Sequence, residues 1–287
     1  MRATLLLFSI LFFASCTSDD AGSATAPDPT LLQRVVFYPE NANTSQVWDF
    51  DQQGFLMSIS KPDGTILQNF SYDAGHNLTS TTYMGVTYEF SYDAQDRLSS
   101  VNGLAVSFDE ATNTYAAILG EPDPTSEDPI PHRREWHMDS SMLLKTEVDH
   151  FTWVLGEGTD MRSLVTYDAT GNLKSMSDLD MIYGGFTHDS HTNPLRHATL
   201  PITRAMSLLL QGWSPDFRLK FISSLHNSTN NILSEVHNPE DPESSEFEYL
   251  YNANGLPQSS IAKSYYLGNF EGQTQLAQYY YQGDTLP

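Results

Sequence analysis

The stretch Phe70-Ser71-Tyr72-Asp73-Ala74-Gly75-His76-Asn77-Leu78 decides how this chain folds. Phe70 and Tyr72 fall on one side of an extended backbone, Ser71 and Asp73 on the other. That period of two marks a strand. Asp73 bonds its own backbone and opens a turn. Gly75 and Asn77 are suited to the positive φ that tight turns require. Leu78, followed by Thr79-Ser80, starts the returning strand. The unit is one β-hairpin, and a lone hairpin is marginal in water, so it needs neighbours.

The neighbours lie along the same chain. Phe50-Asp51-Gln52-Gln53-Gly54-Phe55-Leu56 precedes it, and Tyr92-Asp93-Ala94-Gln95-Asp96-Arg97-Leu98 follows. Tyr167-Asp168-Ala169-Thr170-Gly171-Asn172-Leu173 and Tyr251-Asn252-Ala253-Asn254-Gly255-Leu256 are further copies, and Phe108-Asp109 and His188-Asp189 are eroded ones. Self-similarity of this kind signals stacked units that bury a shared core. Asp73, Asp93, Asp168, Gly171 and Gly255 are the residues on which the turns should rest. The expected fold is all-β: antiparallel hairpins in register, curled into an open or nearly closed sheet over residues 31–287. Val35-Val36-Phe37-Tyr38 reads as the first strand. One short helix is expected near 203–213, capped by Thr203 and ended by Gly212. Glu121 to Pro131, with four prolines and four acids, reads as an acidic loop, and Asn238 to Glu246 reads similarly. Residues 116–159 show no copy of the repeat.

These copies resemble the YD-repeat (Rhs-type) family, whose core is a Tyr-Asp-x-x-Gly-x-Leu turn. Phe186-Thr187-His188-Asp189-Ser190-His191-Thr192-Asn193-Pro194-Leu195 resembles the Asn-Pro unit of small YD-repeat lipoproteins of the Bacteroidetes type, and Asn230-Asn231-Ile232-Leu233-Ser234 fits the same group. The giant members build a shell around a toxin. This chain is far shorter and has no toxin tail, so that role is not carried over.

The amino terminus speaks of export. Arg2 precedes an apolar run from Leu5 to Ala14, then Ser15-Cys16, as in a secretory signal peptide. The run is shorter than the ~20 residues that span a bilayer. Phe13-Ala14-Ser15-Cys16 resembles the bacterial lipoprotein box, with Phe13 in place of the usual Leu. The resemblance implies cleavage after residue 15 and a thioether-linked diacylglycerol on Cys16. Two or more acyl chains anchor a protein stably. Residues 16–30 are then a flexible tether of Ser, Thr, Asp, Ala and Pro with roughly 20 Å of reach. Asp19-Asp20 resembles a surface-export signal. The expected location is the outer membrane, possible surface display included. Cys16 is the only cysteine, so the mature chain has no disulfide and no thiolate metal site.

The net charge is −22, from 36 acids against 14 bases. Nucleic acid needs clustered Lys and Arg, and the chain offers only isolated pairs such as Arg133-Arg134. Catalytic signatures are missing: no Gly-x-Ser-x-Gly elbow, no phosphate loop and no dinucleotide fingerprint. No catalytic residue, metal or cofactor is assigned. His188, Asp189, His191 and His197 lie close in sequence, but gathering them on a metal would need special strand geometry. Paired acids such as Asp178 and Asp180, or Asp123, Glu127 and Asp128, read as solvated loop charge.

Aromatic residues are the better candidates. Tyr83, Tyr88, Trp136, Trp153, Tyr265 and Tyr266 lie on strand-like segments, where aromatic rows either stabilise the sheet or stack on a ligand. The expectation is a membrane-anchored, non-enzymatic envelope module that binds glycan or protein, or serves as structure. The alternative is a secreted glycan hydrolase.

Overall fold

The computed structural model describes residues 27–83, 85–119, 133–152, 158–178, 181–183, 185–206, 228–238 and 241–287. Cys16, the signal peptide and most of the tether lie outside them. The described residues form nineteen strands and one α-helix. The first nine strands are β1 (Leu32–Phe37), β2 (Gln46–Phe50), β3 (Leu56–Ser60), β4 (Ile66–Tyr72), β5 (Leu78–Tyr83), β6 (Val86–Tyr92), β7 (Leu98–Val101), β8 (Leu104–Asp109) and β9 (Thr114–Ile118). Then come β10 (Arg133–Met138), β11 (Leu144–Thr152), β12 (Gly158–Tyr167), β13 (Leu173–Asp178), β14 (Met181–Tyr183) and β15 (Phe186–Thr192). Helix α1 (Pro194–Met206) precedes β16 (Asn230–Asn238), β17 (Asp241–Tyr251), β18 (Pro257–Tyr266) and β19 (Asn269–Tyr281).

Each strand pairs antiparallel with the next from β1 to β14 and again from β15 to β19. β1 inserts between β2 and β19, with Val35 opposite both Trp48 and Tyr279. The sheet thus curls into a nearly closed barrel with one unsealed seam, between β13–β14 and β15–β16. Hydrogen bonds still cross that seam. Thr229 N donates to Gly171 O at 3.3 Å, Leu173 N to Ser228 Oγ at 3.0 Å, and Asn230 N to Asn172 Oδ1 at 2.8 Å.

One turn geometry repeats around one end of the barrel. At Asp51, Asp73, Asp93, Asp139, Asp168 and Asn252, the side-chain Oδ1 accepts the amides two and four residues on. The residue three positions on takes positive φ: Gly54, His76, Asp96, Met142, Gly171 and Gly255. The left-handed residue of the Asp73 turn is therefore His76, rather than Gly75 or Asn77. The Asp139 turn belongs to a copy that the sequence hid, Met138-Asp139-Ser140-Ser141-Met142-Leu143-Leu144, inside the stretch with no recognised motif. At Asp109 and Asp189 the Oδ1 accepts the amide two residues on but not the one four residues on, as befits eroded copies. Of the stretch 238–246, expected as a loop, Asn238 ends β16 and residues 241–246 belong to β17, while residues 239–240 lie outside the described ones.

The core is built from the repeat's own positions. Phe50, Leu56, Phe70, Leu78, Phe90 and Leu98 all point inward and are buried, each contributing about 1.5–3 kcal/mol. Exposed strand positions include Asn69, Ser71, Glu89, Ser91 and Ser107. Apolar residues such as Met57, Ile66, Val86 and Ile118 are exposed among them. Two repeat tyrosines and Tyr281 each tie a strand end to the start of the strand before it. Tyr72 Oη donates to Leu56 O at 2.6 Å, Tyr92 Oη to Leu78 O at 2.9 Å and Tyr281 Oη to Pro257 O at 2.9 Å. Burial raises the pKa of all three hydroxyls, so they stay protonated donors. Tyr72→Phe should cost about 1 kcal/mol, read as a small fall in denaturation midpoint. No change would mean that the bond adds nothing to the stacking.

The helix is present but begins earlier than expected. Asn193 caps it, its Oδ1 accepting Leu195 N at 3.0 Å, and Pro194 takes the first helical position, where a missing N–H does no harm. Thr203, the expected cap, sits inside the helix and is buried. The expected range 207–213 lies outside the described residues. Leu195, Ala198, Ile202 and Ala205 form one buried stripe that joins the barrel core.

Candidate functional site

The turns at 73–77, 93–97, 109–113 and 139–143 form an arc at one end of the barrel. Helix α1 runs in opposite them. His197 Nε2 lies 3.0 Å from Gln53 O, and Arg204 Nη2 donates to Ser141 O at 3.1 Å, so the 51–55 turn and the 139–143 turn of the arc both hold the helix. Between arc and helix lies a cavity of about 760 Å³. Small-ligand sites run to roughly 300–1,000 Å³.

Its walls are mixed. Phe55, Tyr92, Phe108, Tyr115, Met138 and Met142 give apolar and aromatic faces. Phe55 stacks on His76, centroids 4.5 Å apart, and meets His197 at 4.7 Å, which joins two turns and the helix in one ring cluster. Asn77, Gln95, Asp96, Glu110 and Asn113 add hydrogen-bonding groups. Two cations line the cavity. Arg97 is committed: its Nε donates to Asp93 Oδ2 at 2.8 Å, its Nη1 pairs with Glu110, and its guanidinium lies over the Phe108 ring at 5.3 Å. Arg204 is exposed at the mouth and has no carboxylate within ion-pair distance among the described residues.

The sequence candidates lie elsewhere. Trp136 is 1 % exposed and belongs to the core, where no ligand reaches it without opening the fold. Tyr83 and Tyr88 stand on the β5–β6 hairpin, partly covered. Tyr265 and Tyr266 stand at the far tip of β18, with Tyr265 Oη bonded to Glu246 Oε2 at 2.9 Å and its ring edge-on to Phe270. Trp153 is outside the described residues, as are Asp123, Glu127, Asp128 and Asp180. The structure does not gather these aromatics into one surface. Phe55 and Phe108, which do line the cavity, belong to recognised turns, and their place in the repeat was the available signal.

The histidine stretch serves the seam. Asp189 accepts His191 N, Asn231 N, Asn231 Nδ2 and Tyr251 Oη, and the His191 ring stacks on Tyr251 at 4.0 Å. His188 Nε2 lies 3.2 Å from Ser228 Oγ. A Ser–His contact at this distance is the geometry of an activated nucleophile. Ser228, however, is wholly buried and its Oγ already accepts the Leu173 amide, so no substrate meets it. Among the described residues no three His, Cys, Asp or Glu side chains converge as metal ligands do.

These groups predict a two-step acid sensitivity. Burial lowers the pKa of His188, against the opposing pull of Asp168 and Asp189. The unfolded chain therefore takes up a proton near pH 6.5 that the folded chain refuses, and stability falls as pH drops below that value. The turn carboxylates follow. Asp168 is lowered by the Thr170 hydroxyl and the Asn172 amide, and Asp93 by the Arg97 amide. Their contribution is full above about pH 4 and is lost as pH falls through their folded values. Urea midpoints from pH 8 to 3 should decline in two stages, and His188→Gln should remove the first. A flat profile down to pH 4 would contradict this.

The fold and its rim define a class: a barrel of stacked repeat hairpins whose turn-lined end is plugged by a helix and holds a cavity. No protein-family profile matches the chain, and no curated protein matches it. Solved structures do. A porin-like protein from Bacteroides uniformis is 12% identical with a TM-score of 0.40, over 88% of this chain and 98% of that one. A porin-like protein from Bacteroides vulgatus is 9% identical with a TM-score of 0.28, over 88% and 99%. A TcdB2-TccC3 structure lacking its hypervariable C-terminal region is 12% identical with a TM-score of 0.31, over 80% of this chain and only 14% of that one. Likeness at this level transfers no function.

Proposed function

We propose that this is a small YD-repeat lipoprotein of the cell envelope, anchored through Cys16, that binds a ligand in its rim cavity without transforming it. The cavity carries the reading: its size suits a small ligand, its aromatic and methionine walls give apolar surface, and its turn groups offer hydrogen bonds. A glycan is the ligand class that uses both kinds of wall. Orientation is consistent with anchoring. Asp28 N donates to Gln282 Oε1 and Leu31 O accepts Gln282 N, so the chain enters the barrel at its turn-lined end. A lipid on Cys16 would hold the cavity end toward the membrane.

Two experiments test this. A glycan array probed with the protein should give a binder, and Phe108→Ala should weaken it about tenfold, the scale of one stacked ring. Binding that ignores Phe108→Ala, or turnover of the glycan, would count against the reading. Cys16→Ser should move the protein from the membrane fraction to the soluble one, and unchanged fractionation would refute the anchor.

A further inference from the structure

We infer that the cavity takes an acidic sugar, a uronic acid residue, whose carboxylate pairs with Arg204. The inference deepens the binding-module reading and rests on it. Its basis is a guanidinium on the cavity wall whose fork is largely unused by the described residues. Arg97, on the same cavity wall, is held by Asp93 and Glu110. Arg204, across the cavity on α1, donates only to the Ser141 carbonyl, through Nη2. Among the described residues the rest of its fork has no protein acceptor. Asp139, in the same turn as Ser141, acts on Arg204 through its charge but is not within ion-pair distance, and its Oδ1 accepts the Ser141 and Leu143 amides.

Guanidinium prefers a planar oxyanion that accepts two parallel bonds. A carboxylate fits that fork. The remaining walls select what carries it. Phe55 and Phe108 give the wall apolar ring surface, while the side-chain carbonyls of Asn77 and Asn113, whose amide groups donate within the turns, can accept from sugar hydroxyls. A neutral sugar would leave Arg204 unanswered. A purely aromatic acid would make no use of the Asn77 and Asn113 carbonyls.

The test is calorimetric titration of the full-length chain with trigalacturonate and with its carboxyl-reduced, neutral counterpart. Trigalacturonate should bind at least tenfold more tightly than the neutral form. Arg204→Gln should abolish that preference, and Arg204→Lys should restore part of it. The Arg204 variants should melt as the parent does, because the side chain is exposed and makes one bond. Equal binding of both sugars, unchanged in Arg204→Gln but weakened by Phe108→Ala, would overturn the carboxylate assignment and leave the cavity as a glycan site. Failure of both sugars to bind a chain whose binding to another glycan depends on Phe108 would also overturn it. Binding of any glycan that ignores both residues would overturn the cavity reading as well.

Discussion

Gly171→Val should lower the melting temperature by roughly 5–12 °C. Gly171 has φ of +84°, a region that costs a β-branched residue of order 1–3 kcal/mol. A second penalty is local. A Cβ at this position would meet Thr229 Oγ1 at 2.9 Å. Thr229 is no spectator: its Oγ1 donates to Thr170 O, it accepts Arg196 Nη1, and its amide bonds Gly171 O. Valine therefore strains the turn and pushes apart the seam that the barrel leaves without a ladder. The sum is roughly 2–4 kcal/mol, and each kcal/mol shifts a domain of this size by about 2–4 °C. Gly64→Ala is the control. It shares φ of +84°, but nothing lies within 4 Å of its Cβ, so only backbone strain remains. An unchanged melting temperature in Gly171→Val would mean that the turn is drawn wrongly. Equal losses at both sites would mean that the seam contact is idle.

Trp136→Ala should cost about 3–5 kcal/mol. The indole is 1 % exposed and stands between Tyr115 on β9 and Glu147 on β11. Two residues earlier on the same inward face, Arg134 is buried with Asp149, its Nη2 donating to Oδ2 at 2.7 Å. Removing the indole leaves a void beside a buried ion pair, which the rigid strands cannot collapse to fill. Chemical denaturation measures the loss, and a value below about 1 kcal/mol would show that the site is not packed as described. The result also bears on function. Any loss of binding in this variant would report lost structure, so Trp136 cannot serve as a probe of ligand contact.

The repeat was legible because its chemistry is local. An Asx residue that accepts the amides two and four positions on needs only Asp or Asn at one place, and the strand before it needs only alternation. The copy at Met138-Asp139 escaped because Met replaces the aromatic and Met142 replaces the glycine at positive φ. The barrel carried that departure because Asp139 keeps both amide bonds. In the Tyr251 copy Pro257, not Leu256, takes the place of Leu78, since it pairs across from Tyr251 as Leu78 does from Tyr72. Helix α1 starts at Pro194, nine residues before the expected cap Thr203. Pro194 is at the first helical position, and burial of Leu195, Ala198, Ile202 and Ala205 outweighs the missing amide of Pro201. Their spacing of three, four and three was in the sequence. The cavity was not. It arises where four turns far apart in the chain meet one helix, and only the curl of the sheet brings them together. Solvent exposure of an aromatic is likewise set by that curl, and Trp136, a ligand candidate by sequence, is core.

The cavity as a ligand site is tested most directly by a methionine-methyl NMR titration. Met138 and Met142 line the cavity, while Met57 is 49% exposed on β3, away from it. Protein labelled at the methionine methyls should be titrated with a panel of acidic and neutral oligosaccharides. The account predicts that a bound sugar shifts the Met142 and Met138 signals and leaves Met57 in place. A saturable ligand that shifts Met57 but neither cavity methionine would contradict it.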